Sequence, residues 1–357
     1  MKPDNSEFEL SGKPLEETKN LLSYCKERYA KNSSIKWAYW VAIRLLYSLA
    51  LSFKKTSSQK RCRCDVLILH PSEKSRKLDR KRKLIERIKS TGLTVCEDTL
   101  AEEAQILKEG LYESSNFKIY HLRIYDGYAK YLKRVFNPKV IITERNGHIT
   151  SSFLKSKSKN DSVTLHLAHS VLTSESSRYN YIDYDYYCLY GISSLEHLKS
   201  LDNLYGSCRA FLGGSYLFDE SFTLPPNPDA PIMLLGAGPR MEKEPSCIQI
   251  YEMVKEWQAK TNSELFVRLH PRSKGEFWKG EASEKIRVLK NENFIESARK
   301  CSLVISPYTN AVVDASLLNR PVQLLKCANS KDFLCVEDFF PKSASTDKEL
   351  EKSIDKI

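Results

Sequence analysis

Two short apolar runs that end abruptly in polar residues constrain the fold of this chain more than any other feature. One run covers residues 265–269 and leads into His270 and Pro271, and the other covers residues 303–305 and leads into Ser306. Short runs of this kind are typical of parallel strands buried on both faces of a sheet. Open α/β sheets bind ligands at the carboxyl ends of such strands. The pattern therefore predicts an α/β protein with a binding site at this edge.

The polar residues after the second run are suited to binding phosphate. Ser306, Thr309 and Asn310 stand just ahead of a helical pattern that begins at Ala311. A helix N-terminus offers unpaired backbone N–H groups and a partial positive charge, and hydroxyls add further donors. His270 follows the neighbouring predicted strand and is expected to reach the same ligand. Together these residues predict a site that handles a nucleotide.

The order of the apolar runs predicts two Rossmann-like halves. Strand-like runs alternate with helical patterns, which is typical of parallel sheets with helical crossovers. The 357 residues exceed the usual size of a single core. A proline-rich stretch over residues 224–231 is the clearest linker, and the polar residues 1–18 are predicted to be loosely ordered. The predicted domains are an N-terminal helical segment over 1–60, a first Rossmann-like domain over 61–224 and a second over 225–357.

Positive charge is concentrated in the first quarter of the chain. The whole sequence has a net charge of +11, and residues 19–89 hold 20 Lys or Arg against five Asp or Glu. Such a surface suits an anionic membrane leaflet or a nucleic acid. The basic run 74–89 has apolar residues at helical spacing, so its charges are predicted to form a solvated helix face. It lacks the interleaved aromatic residues that nucleic-acid binding needs, and no nucleic-acid partner is expected.

Residues 35–53 favour the membrane as the anionic partner. This stretch has no Gly or Pro and is interrupted by Arg44, and it falls short of the roughly 20 apolar residues of a bilayer span. Arg44, Ser48 and Ser52 lie on one helical stripe, and the aromatic residues suit the headgroup level. With the basic residues that follow, segment 35–63 is predicted to lie in an anionic leaflet. The alternative is an ordinary helix packed on the domain.

The cysteine pattern predicts a cytoplasmic protein, and together with segment 35–63 it predicts a location on the inner face of the plasma membrane. The ten cysteines include no CxxC pair, and the N-terminus does not have the pattern of a secretory leader. They are therefore expected to be reduced thiols. Asp183-Tyr184-Asp185 borders a predicted strand, so we expect it to have a structural role. Neither a metal nor a resident cofactor is predicted.

The order of these features resembles the GT-B glycosyltransferases that use CMP-activated acidic sugars. It also resembles the surface-polysaccharide and teichoic-acid polymerase relatives that use CDP-polyols. The resemblance covers about residues 65–330. It rests on Glu144 through Gly147 after one predicted strand, His169 at the end of the next, the His270-Pro271 pair, the Ser306, Thr309 and Asn310 loop, and the helix-then-strand pattern over 314–322. This sequence departs from the family pattern at Arg145 and Asn146, where a tighter acid-acid-Gly is usual, and in the spacing of the loop hydroxyls.

The resemblance implies a GT-B fold in which two Rossmann-like domains face a cleft, with an N-terminal helical extension. The implied activity is transfer of a sugar, a CMP-activated ulosonic acid of the sialic acid or Kdo type, to a cell-surface glycan or lipid-linked acceptor such as a capsule or lipopolysaccharide precursor. The implied mechanism is inverting and independent of metal. A CDP-polyol phosphotransferase of the teichoic-acid-polymerase type is the alternative enzyme. A nucleic-acid-binding protein and a scaffold with a degenerate site are alternatives of other classes.

The same resemblance implies roles for individual residues. Glu144 is the candidate general base, and Asp126, in Tyr125-Asp126-Gly127, is its rival. His270 is expected to donate a hydrogen bond to the departing phosphate. The expected nucleotide-binding residues are Gly236, Gly238, Arg240, His270, Pro271, Arg272, Ser306, Thr309 and Asn310, and the expected acceptor-binding residues are His148 and His169.

Overall fold

A computed structural model describes residues 7–53, 62–155, 162–172, 180–216, 223–289, 292–307, 309–327 and 343–354. Residue contacts divide the chain into unit 1, Met1–Leu217, and unit 2, Phe218–Ile357. Each unit contains its own sheet of mainly parallel strands with helical crossovers. The predicted α/β class with two Rossmann-like halves is therefore confirmed.

Unit 1 is built on a seven-stranded sheet in the order β1-β7-β6-β5-β4-β2-β3. Its strands are β1 (Phe8–Ser11), β2 (Val66–His70), β3 (Val95–Thr99), β4 (Val140–Thr143), β5 (Val163–Leu167), β6 (Tyr186–Leu189) and β7 (Ser207–Leu212). All neighbouring strands are parallel except β1, which runs antiparallel to β7 with Phe8 opposite Ala210. The prediction that residues 1–18 are loosely ordered is wrong for β1. Main-chain pairing at a sheet edge requires no apolar run, so the sequence pattern did not reveal it.

Eight α-helices fall within the described residues of unit 1. They are α1 (Thr18–Ala30), α2 (Ser34–Leu51), α3 (Glu73–Lys77), α4 (Arg82–Ser90), α5 (Glu103–Glu109), α6 (Arg123–Phe136), α7 (Thr150–Leu154) and α8 (Ile192–Lys199). The basic run 74–89 thus forms two helices, and Asp79, with φ of 49°, lies in the left-handed region between them. The core beneath the sheet is rich in fully buried tyrosines, among them Tyr125 and Tyr184.

Unit 2 contains a five-stranded sheet in the order β10-β9-β8-β11-β12, with every neighbouring pair parallel. Its strands are β8 (Ile232–Leu235), β9 (Leu265–Arg268), β10 (Ile286–Leu289), β11 (Val304–Ser306) and β12 (Val322–Leu324). Its helices in the described residues are α9 (Pro245–Thr261), α10 (Phe294–Arg299), α11 (Ala311–Leu317) and α12 (Asp347–Ile354). The apolar runs that predicted this fold form β9 and β11, as expected.

Each sheet has one point where the strand order reverses. In unit 1 the chain goes from β2 to β3 on one side and then returns to β4 on the other side of β2. In unit 2 it goes from β8 through β9 to β10 and then returns to β11 on the other side of β8. Adjacent crossovers that leave in opposite directions open a crevice at the carboxyl ends of the two central strands, which is where such sheets bind ligands. The β2/β4 and β8/β11 edges are therefore the places to look for function.

Two glycines with similar backbone angles test how tightly unit 1 is packed before β7. Gly206 and Gly92 have φ of 88° and 84°. A Cβ on Gly206 would lie 2.4 Å from the Asp183 Cβ atom, whereas a Cβ on Gly92 would meet nothing within 4 Å. We expect Gly92→Ala to cost about 1 kcal/mol of unfolding free energy from backbone strain alone. Gly206→Ala should cost at least about 3 kcal/mol, because a steric clash is added to that strain.

Urea unfolding of the two variants, followed by circular dichroism, measures this difference. Equal losses in the two variants would show that the chain around Asp183 and Gly206 can shift to accept a methyl group.

Candidate functional site

A cluster of charged and polar side chains occupies the β2/β4 edge of unit 1. His70 is the last residue of β2, Glu144 directly follows β4, and Lys81 comes from the junction between α3 and α4. Glu144 accepts hydrogen bonds from the Lys81 ammonium and from the Tyr216 hydroxyl. The Lys81 Nζ also lies 3.4 Å from His70 Nδ1, and His70 Nε2 lies 2.9 Å from Glu97 Oε2. We call these five residues the switch-point cluster.

The central pair of the cluster is almost completely removed from water. The Lys81 and Glu144 side chains are only 2% and 7% exposed. Charges buried to this degree are tolerated only when they are paired and hydrogen-bonded. Burial, followed by the neighbouring Glu144 carboxylate, raises the pKa of the Tyr216 hydroxyl far above its ordinary value. Tyr216 therefore stays protonated and keeps donating to Glu144.

The loop that carries Glu144 is held by a buried histidine from the next strand. His166 Nε2 lies 2.7 Å from Asn146 Oδ1, and His166 Nδ1 lies 3.0 Å from the Thr143 hydroxyl. The imidazole also stacks on Tyr184, with ring centroids 4.2 Å apart. Burial lowers the pKa of His166 well below its usual value, so the ring is neutral and can donate to one partner while accepting from the other. This arrangement fixes the position of Glu144.

His169 is an exposed residue that follows β5 and lies beside the buried cluster. Desolvation of part of the ring lowers its pKa, the Glu144 carboxylate opposes this shift, and Lys81 and Arg80 reinforce it. The net effect is downward, so the ring is neutral at pH 7. A neutral imidazole that solvent can reach is able to accept a proton from a bound hydroxyl.

Asp126 and His148 lie apart from these contacts. Asp126 is on α6, where its Oδ2 accepts from the Ser115 hydroxyl at 2.7 Å and pairs with Lys130 Nζ at 2.8 Å. His148 is buried edge-on against the Tyr125 ring. Desolvation, followed by the neighbouring Arg145, lowers the pKa of His148 well below its usual value. Both side chains are thus bound into the framework of unit 1, whereas Glu144 and His169 lie close together.

Sequence reasoning missed several members of the switch-point cluster. Lys81 belongs to the basic run that was predicted to be a solvated face, and that prediction is wrong for this residue because the break at Asp79 turns it inward. The signal for His70 was present, since His70-Pro71 repeats the pattern of His270-Pro271 at another strand end. Tyr216 is contributed by a distant part of the chain, and no local motif marks it.

The second group of predicted residues meets at the β8/β11 edge of unit 2. Gly236 and Gly238 follow β8, and His270 follows β9. A Cβ on Gly238 would lie 4.0 Å from the Cδ2 and Nε2 atoms of the His270 ring, so the imidazole faces this glycine turn. The Arg272 backbone N–H donates to His270 Nδ1 at 3.1 Å. Because Nδ1 accepts this bond, the N–H group of the ring is at Nε2, the atom next to the turn.

The predicted phosphate-binding residues lie at the end of β11 and the start of α11. Ser306 is completely buried and its hydroxyl donates to the Leu235 carbonyl oxygen at 3.1 Å, so it links β11 to β8. The Thr309 hydroxyl accepts from the Ala311 backbone N–H at 3.3 Å. The buried Asn310 Oδ1 has no hydrogen-bond partner within the described residues. Thr309 and Asn310 thus lie between β11 and α11, at the carboxyl end of β11, whereas the Ser306 hydroxyl is used inside the sheet.

Three further residues predicted to bind the nucleotide, Arg240, Pro271 and Arg272, are exposed around the same edge of unit 2.

The Asp183 and Asp185 carboxylates of unit 1 make structural contacts. Asp183 pairs with Lys155 Nζ at 2.9 Å, and Asp185 accepts from the Thr164 backbone N–H at 2.8 Å. In the described part of the chain, no group of three or more His, Cys, Asp or Glu is arranged to hold a metal ion.

Comparison with known proteins identifies the fold but no family. No family model matches the sequence, and no curated protein matches it either. Among solved structures, the UDP-GlcNAc 2-epimerase of Methanocaldococcus jannaschii is 13% identical with a TM-score of 0.51, over 81% of this chain and 91% of that one. The UDP-GlcNAc 2-epimerase of Neisseria meningitidis bound to UDP-GlcNAc is 10% identical with a TM-score of 0.50, over 82% and 90%. Staphylococcus aureus MnaA with UDP is 12% identical with a TM-score of 0.50, over 84% and 87%.

Similarity at these identities concerns architecture. It confirms the predicted GT-B class of fold, with two Rossmann-like domains. The predicted CMP-sugar subgroup remains a prediction.

The buried Lys81–Glu144 pair generates a stability prediction. We expect Lys81→Met to cost about 3–5 kcal/mol of unfolding free energy, because it leaves a buried carboxylate without its cation. The double variant Lys81→Met/Glu144→Gln should recover at least half of that loss, since no charge then remains buried. Arg82→Met is the matched control, because Arg82 is 72% exposed and its ion pairs lie at the surface; we expect it to cost less than about 1 kcal/mol.

Urea unfolding of the four proteins measures these energies. A double variant that is as unstable as Lys81→Met would contradict the ion-pair explanation and would assign the loss to packing of the lysine side chain.

Proposed function

We propose that this protein is a glycosyltransferase that uses a pyrimidine-nucleotide-activated sugar. In this proposal unit 2 holds the nucleotide and unit 1 handles the acceptor hydroxyl. The observation that carries it is the His270 Nε2–H group beside the Gly238 turn, at the point of unit 2 where the strand order reverses. The fold shared with proteins that bind UDP or UDP-GlcNAc supports a nucleotide-sugar substrate.

His270 would stabilise the departing nucleotide. When the bond between the sugar and the phosphate breaks, negative charge develops on the phosphate oxygens. A donor that is already positioned for this charge lowers the barrier by several kcal/mol in typical enzymes. The glycine turn lets a ligand approach the backbone closely. Arg240 and Arg272 would add positive charge at the rim, so the proposed chemistry needs no metal ion.

The identity of the nucleotide is the part of the proposal that the observed contacts restrict least. The resemblance of the sequence implies a CMP-linked ulosonic acid, whereas two of the similar structures contain UDP-GlcNAc or UDP. The groups that we assign to the phosphate serve either donor, since CMP and UDP differ in the base and in the number of phosphates. We propose a CMP-linked acidic sugar as the first donor to test and UDP-sugars as the second. The proposed acceptor is a cell-surface glycan precursor, with inversion at the sugar carbon.

On the acceptor side we propose that His169 removes the proton from the attacking hydroxyl. The Glu144 carboxylate is already bound to the buried Lys81 ammonium and to the Tyr216 hydroxyl, so we assign it no proton transfer. Its negative charge nevertheless stabilises the imidazolium that forms on His169, as the upward effect of Glu144 on the pKa of His169 indicates. Glu144 is therefore proposed to act through His169.

Nucleotide titration tests the role of His270. We expect calorimetry to detect CMP or UDP binding to the intact protein. His270→Ala should weaken that binding about tenfold or more, as loss of a hydrogen bond to a charged group predicts. Lys274→Ala is the matched control, since it removes an exposed cation nearby and should change affinity much less. A well-folded protein that binds neither nucleotide would overturn the proposal. Turnover of a UDP-sugar without any acceptor would indicate an epimerase instead.

The pH profile of transfer tests His169. We expect His169→Gln to lower kcat about 100-fold or more, the usual contribution of a general base. In the unaltered protein kcat/KM should fall as the pH drops through the lowered pKa of His169, which lies below about 6.5. This fall at acid pH should be absent in His169→Gln. Lys81→Met/Glu144→Gln, which leaves no unpaired buried charge, should reduce kcat but keep this fall, and His197→Gln, on α8, should change neither. Normal activity of His169→Gln would exclude it as the base.

A further inference from the structure

Helix α2 presents a continuous apolar stripe to solvent. Its members recur every three or four residues and therefore lie on one helix face. They are Ile35, Ala38, Tyr39, Ala42, Leu45, Leu46, Leu49 and Phe53, the last just beyond the helix end. Four of them are strongly exposed: Ile35 at 84%, Tyr39 at 70%, Leu46 at 65% and Phe53 at 86%. Surface helices of soluble proteins normally turn such a stripe inward.

The polar side of the same helix faces the protein. Arg44 Nε donates to the Tyr125 hydroxyl at 2.9 Å, and its guanidinium also pairs with Glu103. The guanidinium lies 4.0 Å from the centre of the Trp40 ring, which is itself buried, and Ser48 is buried nearby. Of the predicted stripe of Arg44, Ser48 and Ser52, the first two therefore anchor α2 to unit 1, and Ser52 is exposed. Because these contacts fix the helix, its apolar stripe cannot rotate into the core.

Charge around the stripe indicates what covers it. The sequence has no acidic residue between Glu27 and Asp65, and this interval contains nine cations. They are Arg28, Lys31, Lys36, Arg44, Lys54, Lys55, Lys60, Arg61 and Arg63. Lys36 is exposed next to the first turn of the stripe, and Lys54 and Lys55 directly follow Phe53 in the sequence; residues 54–61 lie outside the described ranges. Apolar residues flanked by cations match a layer of acyl chains beneath anionic headgroups.

We propose that α2 binds an anionic membrane surface, with the apolar stripe inserted among the lipids and the helix axis parallel to the bilayer. Eighteen residues give α2 a length of about 27 Å, all of which is available for contact in the membrane plane. Among the helices that the structure describes, none has the length and hydropathy required to cross a membrane. This inference goes beyond the proposed activity and does not depend on it.

Vesicle flotation of the full-length protein tests this surface. We expect binding to vesicles of phosphatidylcholine with one-third phosphatidylglycerol, and about tenfold weaker binding to phosphatidylcholine alone. Leu46→Gln/Phe53→Gln should lower binding to the anionic vesicles about tenfold or more. Leu78→Gln/Leu317→Gln is the matched control, since it removes two leucines that are 54% and 44% exposed elsewhere. It should bind like the unaltered protein.

Further measurements distinguish membrane insertion of the stripe from misfolding, from binding by charge alone and from dimer formation. Thermal unfolding checks that the variants are folded, and Ile35→Gln/Tyr39→Gln at the opposite end of the stripe repeats the test if the first variant is not. Undiminished vesicle binding by folded stripe variants would overturn the proposal, because basic charge alone would then explain it. A protein that binds no vesicles, and whose dimer dissociates in the stripe variants by analytical ultracentrifugation, would also overturn it and would make a second copy the occupant.

Discussion

The buried ion pair between Lys81 and Glu144 is the interaction on which the candidate site of unit 1 depends. It joins the helical junction after β2 to the loop after β4, and these two strands flank the point where the strand order reverses. A pair with so little exposure is costly to desolvate, so each charge requires the other to stay in place. Tyr216 holds the second carboxylate oxygen, and His166 holds the loop. This network keeps a negative charge fixed beneath the exposed His169.

The corresponding edge of unit 2 is built mainly from backbone groups. A glycine turn after β8, the imidazole of His270 and the start of α11 lie around it, and none of them requires a buried charge. Ser306 contributes by linking β11 to β8, which fixes the position at which α11 begins. Both sheets thus contain a reversal of strand order, although their strand orders differ, and the two edges hold different groups. One edge holds a buried charged network, and the other holds a glycine turn, an imidazole and the start of a helix.

Helix α2 inverts the usual arrangement of a surface helix. Its arginine is satisfied by Tyr125 and Glu103 inside unit 1, while Leu45, Leu46 and Leu49 face outward. Because Arg44 would be costly to bury without these partners, they determine which side of the helix faces the protein. An enzyme that extends a lipid-linked or surface glycan would benefit from such a face, since it would keep the protein close to its acceptor.

The sequence alone determined the fold class and the edge of unit 2, because apolar runs that end at His270 and Ser306 mark buried parallel strands wherever they occur. It could not place β1, whose edge pairing is made by the main chain. Lys81 looks like its neighbours Arg80 and Arg82 in the sequence, and only the turn at Asp79 buries it. The periodicity of α2 showed two stripes, yet their orientation depended on Glu103 and Tyr125, which lie far along the chain. Local patterns report periodicity and hydropathy, whereas pairing of buried charges is decided by residues that meet only in the tertiary structure.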